Sequence, residues 1–345
     1  MNALAPAPAY QRAVARWLML CAMLVALMVA IGGITRLTES GLSIVEWKLV
    51  SGTLPPLSQA AWVAEFEAYK QTPQFQQVNR DFCLSDFKGI FWLEYIHRLL
   101  GRVIGMVVFV PFVYFAVRRA LPRRLVWRGL GISALVGAQG AVGWVMVASG
   151  LQDQPRVEPL KLALHLLLAF AVFALLQWTR WQVNATARPS TSPRLALFTR
   201  LLLLTATLQI FFGALIAGLR AGLTYNTYPL MDGALVPDGL HRLQPWWLNH
   251  LENVVMVQFQ HRMLAIGLVI MILTFIFYAW KRLDQRPLLL RLLVVIFLQF
   301  GLGVITLLSV VNPWFASAHQ LMALLLFSLL VRLIYVTPWQ QTPPR

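Results

Sequence analysis

Residues 89–117 read GIFWLEYIHRLLGRVIGMVVFVPFVYFAV, long enough as a helix to cross a bilayer, which takes about 20 apolar residues. Inside this run stands EYIHRLLGR, Glu94 to Arg102: a carboxylate, an imidazole and two guanidiniums where each is expensive. A chain that keeps such a cluster in a membrane segment uses it.

Working outward, the same length and apolarity recur in eight segments, roughly 14–36, 89–117, 129–151, 160–179, 199–219, 253–280, 290–311 and 314–333. With 59% hydrophobic residues and a mean hydropathy of +0.66, the chain carries more apolar surface than one soluble core hides. Alternating β-barrel patterning is absent, so the expected class is an all-α, multi-pass integral membrane protein. The first apolar run, Trp17 to Ile34, is too long for a signal-peptide core and lacks a convincing cleavage site, so it is expected to remain as the first helix.

The net charge of +16 invites a nucleic-acid reading, which its distribution excludes. With the N-terminus cytoplasmic, inner loops and tails hold most of the Lys/Arg, including Arg118, Arg119, Arg123, Arg124 and Arg128, against one acid, Asp284. The outer loops are nearly balanced. That asymmetry follows the positive-inside rule and places both termini in the cytoplasm, with the lipid bilayer as the main partner. Cys21 and Cys83 are too few and too far apart for a disulfide framework or thiolate metal site.

The chain also matches itself. GGITRLTESGLSIVEWKLVSGTLPP from Gly32 aligns without a gap to GALIAGLRAGLTYNTYPLMDGALVP from Gly213. Further on, His97-Arg98 matches His261-Arg262, Gln139 and Gly143 match Gln299 and Gly303, and His165 matches His319. The expectation is two tandem four-helix bundles, 1–188 and 189–345, joined by the polar segment Asn184 to Arg194. Because each unit has an even number of spans, they are expected to be parallel, related by a pseudo-twofold axis along the membrane normal. The outer loops, about 37–88 and 221–252, are long and the inner ones short, which puts function at the outer face. Leu57 to Lys70 reads as an amphipathic helix with Trp62, Phe66 and Tyr69 on one side, either a lid or a docking site.

Four of six histidines lie inside spans: His97, His165, His261 and His319. Two per bundle, on different helices at similar depth, suit axial bis-imidazole ligation of haem iron. Each has a small residue at i+4 (Gly101, Ala169, Ala265, Ala323), which would clear the adjacent turn for a porphyrin. The bland reading is hydrogen bonding between helices; copper or zinc would want further Asp, Cys or His ligands nearby. His241 and His250 belong to an interfacial loop near Pro245-Trp246-Trp247. Glu94 shares a helix face with His97 and Arg98, whereas the matching position in the second unit is Gln258, which exchanges no proton. Glu94 therefore either serves chemistry at one of two haem pockets or solves a burial problem with Arg98 or Arg102.

At these residues the chain resembles the haem A synthases of the mitochondrial and proteobacterial type. The resemblance covers nearly all of it, through GGITRLTESGLSIVEW, GTLPP, EYIHRLLGR, NTYPLMDG, ENVVMVQFQHR and the paired late histidines. It implies an oxidoreductase that takes a ring methyl of haem O through an alcohol to the formyl group of haem A, for terminal oxidases. It further implies a resident haem b on His261 and His319, a substrate or product haem flanked by His97 and His165, and Glu94 as the essential carboxylate. Haem O synthase and an electron donor are the implied partners, and the location is a bacterial inner membrane, or the mitochondrial one in a eukaryote. A homo-oligomer is compatible with this reading. Some bacterial relatives carry a cysteine pair in the first outer loop; this chain has Cys83 alone. The alternative is a cytochrome b-like electron carrier or quinol oxidoreductase, and a third class is a haem transporter. No Pro/Gly-interrupted pair in corresponding spans supports the latter.

Overall fold

A computed structural model describes residues 6–48, 51–152, 154–184 and 192–338. The expected joint at 184–194, with the boundary between 188 and 189, lies largely outside them. The described residues form eleven α-helices: α1 (Gln11–Leu37), α2 (Gln59–Lys70), α3 (Pro73–Gln77), α4 (Leu84–Val117), α5 (Arg123–Gly150), α6 (Pro159–Val183), α7 (Pro193–Leu219), α8 (Asn249–Glu252), α9 (Val254–Ala279), α10 (Arg286–Leu308) and α11 (Pro313–Val336). Eight of these, α1, α4, α5, α6, α7, α9, α10 and α11, are long and apolar enough to cross a membrane. Large apolar side chains such as Phe277, 88% exposed in the isolated chain, cover their outer surfaces, as suits helices solvated by lipid.

The helix starts follow local chemistry. Ser192 accepts from the Leu195 N–H ahead of Pro193, and Asn312 accepts from the Trp314 N–H ahead of Pro313, so a short polar cap and a proline define α7 and α11. The α10 helix ends at Leu308, three residues short of the expected 311, because Val310 and Val311 take left-handed backbone angles (φ 54° and 58°). Inside α4, Pro111 has no N–H to give the Val107 carbonyl one turn earlier. Trp17 Nε1 of α1 donates to that carbonyl instead, at 2.7 Å, so the break is satisfied by a neighbouring helix.

In packing, α1 contacts α4, α6 and α11, and α7 contacts α9, α11 and α6; α5 lies against α4 and α6, and α10 against α9 and α11. Exchanging α1 with α7, α4 with α9, α5 with α10 and α6 with α11 turns every one of these pairings into another of the set. At the ends of α1 and α7, residues at matching repeat positions meet. Arg36 donates to the Ala217 carbonyl at 2.6 Å, and Arg220 pairs with Glu39 at 2.5 Å.

The expected amphipathic helix is α2, capped by Ser58. Its Trp62, Phe66 and Tyr69 are all buried, against Phe87, Phe91 and Tyr95 at the start of α4. That face packs against the bundle, as the lid alternative expects.

Candidate functional site

The polar cluster in α4 has an answer in the loop that follows α1. Glu94, Arg98 and Arg102 recur every four residues and so share one face, which grips residues 43–48. Glu94 Oε2 accepts from the Ser43 N–H and hydroxyl, both at 2.7 Å, and from the Ile44 N–H at 2.9 Å. Its Oε1 accepts from Arg98 Nε and Nη2 at 2.9 and 2.6 Å. Arg98 in turn donates to the carbonyls of Ile44 and Glu46, Arg102 to that of Lys48, and Tyr95 to that of Thr53. Glu94 is 2% exposed, so this carboxylate is buried, ion-paired and saturated with donors, the condition under which a buried charge is tolerated.

In the second half the same position handles the loop after α7 without a charge. Gln258 Nε2 donates to the Tyr225 carbonyl at 3.0 Å, and Arg262 donates to the carbonyls of Tyr225 and Thr227 at 2.8 and 2.9 Å. Ile44 and Tyr225 occupy matching repeat positions, as do Glu94 and Gln258. Both halves therefore clamp their outer loop by the same device, but only the first uses a carboxylate, and Gln258 Oε1 is left buried without a partner.

His97 of α4 and His165 of α6 lie within electrostatic reach of each other, as do His261 of α9 and His319 of α11. All four rings are half-buried. Each ring rests on a glycine of a neighbouring helix. A Cβ on Gly143, Gly213 or Gly303 would stand 2.9, 3.1 or 2.9 Å from Cε1 of His165, His261 or His319. One on Gly32 would stand 3.1 Å from Nε2 of His97, so this ring presents a different edge.

Glutamines attend three of the rings. Gln139 Nε2 lies 3.2 Å from His165 Nδ1, Gln209 Nε2 3.2 Å from His261 Nε2, and Gln299 Nε2 3.4 Å from His319 Nε2. His319 Nδ1 also lies 3.1 Å from the Gln299 carbonyl, which only accepts, so Nδ1 carries the proton and Nε2 keeps its lone pair. At the fourth ring, the repeat puts Met28 where the second half has Gln209.

Of the small residues at i+4, Gly101 faces the Met28 side chain and Ala169 is buried in the apolar core. The rings themselves stand where four glycines of neighbouring helices would carry side chains. Their signal was present in the self-alignment, where Gly32 matches Gly213 and Gly143 matches Gly303. His241 is exposed, while His250 accepts from Gln260 at 2.8 Å and meets Trp246 edge-on. Cys21 and Cys83 are both free. Among the described residues no three His, Cys, Asp or Glu side chains converge to hold a metal ion.

Fold and site together define a polytopic helical membrane protein that holds two imidazole pairs against glycine walls, with a clamped carboxylate in one half. Residues 15–331 match the cytochrome oxidase assembly protein family COX15-CtaA, and the chain belongs to that family. It is 48% identical over 335 residues to a Heme A synthase of Bradyrhizobium diazoefficiens, covering 95% of this chain and 92% of the relative. It is 45% identical to the Heme A synthase of Nitrosomonas eutropha, covering 91% of each chain. The same identity relates it to that of Wolbachia pipientis from Culex pipiens, covering 91% of this chain and 94% of the relative.

Proposed function

We propose that this protein is a membrane oxidoreductase that converts haem O to haem A for cytochrome oxidase assembly. The relatives' names and the family support the reaction. The observation that carries the site assignment is the pairing of four imidazoles, two per half, each backed by a glycine. Two imidazoles alone make an incomplete coordination shell, and no further protein ligand converges on them among the described residues. A macrocycle that brings its own four equatorial nitrogens completes such a set. The unpartnered buried oxygens of Gln139, Gln209 and Gln299, beside the rings, fit pockets built to take a further group.

In this reading His261 and His319 hold a resident haem b, and His97 and His165 flank the haem O substrate or haem A product. Turning a methyl into a formyl group removes four electrons and adds one oxygen, and the haem iron, when bound, supplies the redox chemistry that side chains lack. The chain's own residues orient and exclude. Ring direction at His319 follows from the Nδ1–H bond to Gln299, and ring position from Gly303. Glu94 is the essential carboxylate of the first half, and its five accepted hydrogen bonds support action through the loop it anchors at residues 43–48. Arg98 pairs with the carboxylate at 2.6 Å, and the loop in turn closes the outer end of the first bundle.

The two halves are four-helix bundles, 1–188 and 189–345, related by a pseudo-twofold axis along the membrane normal. The exchange of helix pairings, and the meeting of Glu39 with Arg220 and of Arg36 with Ala217, support an axis passing between α1 and α7. The chain sits in a bacterial inner membrane with both termini cytoplasmic. It receives haem O from a haem O synthase and electrons from a separate donor.

The test is to purify the protein, extract its pigment and identify the porphyrins by mass. Protohaem together with haem O or haem A is the expected result. Protohaem alone would favour the electron-carrier alternative, and colourless protein would overturn the reading.

A further inference from the structure

The two halves differ at one more matched position, where they touch. His165 and His319 correspond in the repeat, so Leu166 corresponds to Gln320, and Gly33 corresponds to Ala214. Leu166 packs on the apolar cluster of Ala163, Ala214, Leu215 and Val257, an ordinary greasy contact between α6 and α7. Gln320 does something else at the symmetric contact of α11 with α1. Its Nε2 donates to the Val29 carbonyl at 2.9 Å, and its Oε1 occupies the space above Gly33, where a Cβ would stand only 2.7 Å away.

Gly33 is adjacent to Gly32, and Gly32 is the wall against which His97 rests. Successive residues of a helix point about a third of a turn apart, so Gly32 faces His97 while Gly33 faces Gln320, the residue after His319. On one side lies the imidazole of the first half, on the other the neighbour of His319. The side chain that reaches across is an amide, and it bonds to backbone of α1. A backbone carbonyl inside a helix moves only with the helix, so this bond ties the rotation of α11 to the position of α1.

We propose that Gln320 is a positioning residue that registers the His261–His319 pocket against the His97–His165 pocket through the Gly32-Gly33 wall of α1. The inference rests on the haem reading above and extends it. The pockets are not independent, and a change at Gln320 is felt at His97, across the boundary between the halves. By linkage, a group entering one pocket alters the other by the same free energy.

The experiment uses full-length purified protein with its haem. Electron paramagnetic resonance of the oxidised protein reports the ligand orientation of each low-spin haem, and the Soret band reports haem content per chain. Gln320→Leu installs the residue that the other half uses, so the fold has a precedent for it. The expected result is full haem content, a shift of both low-spin signals, and a fall of about tenfold in haem A formation, as for the loss of one positioned hydrogen bond. Gly33→Ala is expected to shift the same two signals by displacing the amide. In Gly33→Ala/Gln320→Ala the added methyl meets no amide, so the effects are expected to be strongly non-additive. A shift confined to the His261–His319 signal, or additivity in the double variant, would overturn the inference. Absence of low-spin signals from the parent protein would sink the haem reading beneath it, whereas parent signals unmoved by Gln320→Leu would sink this inference alone.

Discussion

Glu94 and Ser43 are joined twice, the carboxylate accepting both the backbone N–H and the side-chain hydroxyl at 2.7 Å across 51 residues of chain. This relationship makes the first outer loop an extension of α4. It also explains why the carboxylate is buried: with Arg98 and Ile44 added, the donors around it replace the water it has lost.

Glu94→Gln retains the shape but turns one acceptor into a donor facing N–H groups, and leaves Arg98 with its charge uncompensated. Breaking a buried pair in this way costs about 3–5 kcal/mol. The expected outcome is loss of haem A formation with haem retained on His261 and His319, together with faster proteolysis of the 43–48 loop. Pigment analysis and limited proteolysis check it. Unaltered haem A formation would remove Glu94 from the site.

Gly143→Ala and Gly303→Ala each place a methyl 2.9 Å from an imidazole Cε1, closer than such contacts stand. Overpacking of this kind costs about 1–3 kcal/mol, and here it acts on the direction of a ligand. Each variant is expected to lose haem chiefly from its own pocket, with a smaller effect on the other, read as Soret absorbance per chain. Full occupancy in both would show that the glycines do not set ring position.

Gln258→Glu would copy the first half's carboxylate into the second. The loop offers it a carbonyl instead of the N–H groups that Glu94 meets: Gln258 donates to Tyr225, and an acceptor in its place would face another acceptor, with the buried, unpartnered Nε–H of Arg262 one turn on as the remaining donor. The variant is expected to be less stable by about 1–3 kcal/mol, the cost of a mismatched buried polar group. Thermal unfolding of the detergent-solubilised protein measures this, and an unchanged midpoint would refute it.

Tyr69 of the α2 lid donates to Gln74 Oε1 at 3.1 Å and accepts from Asn79 at 2.8 Å. Burial pushes its phenol above the ordinary tyrosine range, and the bond from Asn79 offsets only part of that rise. An acid whose folded value is raised contributes stability that is complete below about pH 10 and is lost as pH rises through the folded value. The lid is therefore expected to stay closed to about pH 10 and to loosen above it. Tyrosinate absorbance of the parent minus that of Tyr69→Phe reads this one group; titration in the ordinary range would contradict the prediction.

Much of this was written along the chain. Runs of about 20 apolar residues identify spans because lipid satisfies no backbone group, so α4 and its seven companions were legible, with ends that differ by up to six residues. The self-match of Gly32 with Gly213, and of His97 with His261, exposed the duplication, and the buried face of α2 followed from Trp62, Phe66 and Tyr69. Helix rotation was another matter. In a bilayer the outer face of a helix is as apolar as its inner one, so hydrophobic periodicity does not say which side meets a partner. That Glu94 reaches Ser43, that His319 rests on Gly303, and that Gln320 finds Val29 across 291 residues are facts of helix orientation and close approach. They arise when eight helices pack together, because the directions of α1, α4 and α11 are settled by contacts far apart in the chain.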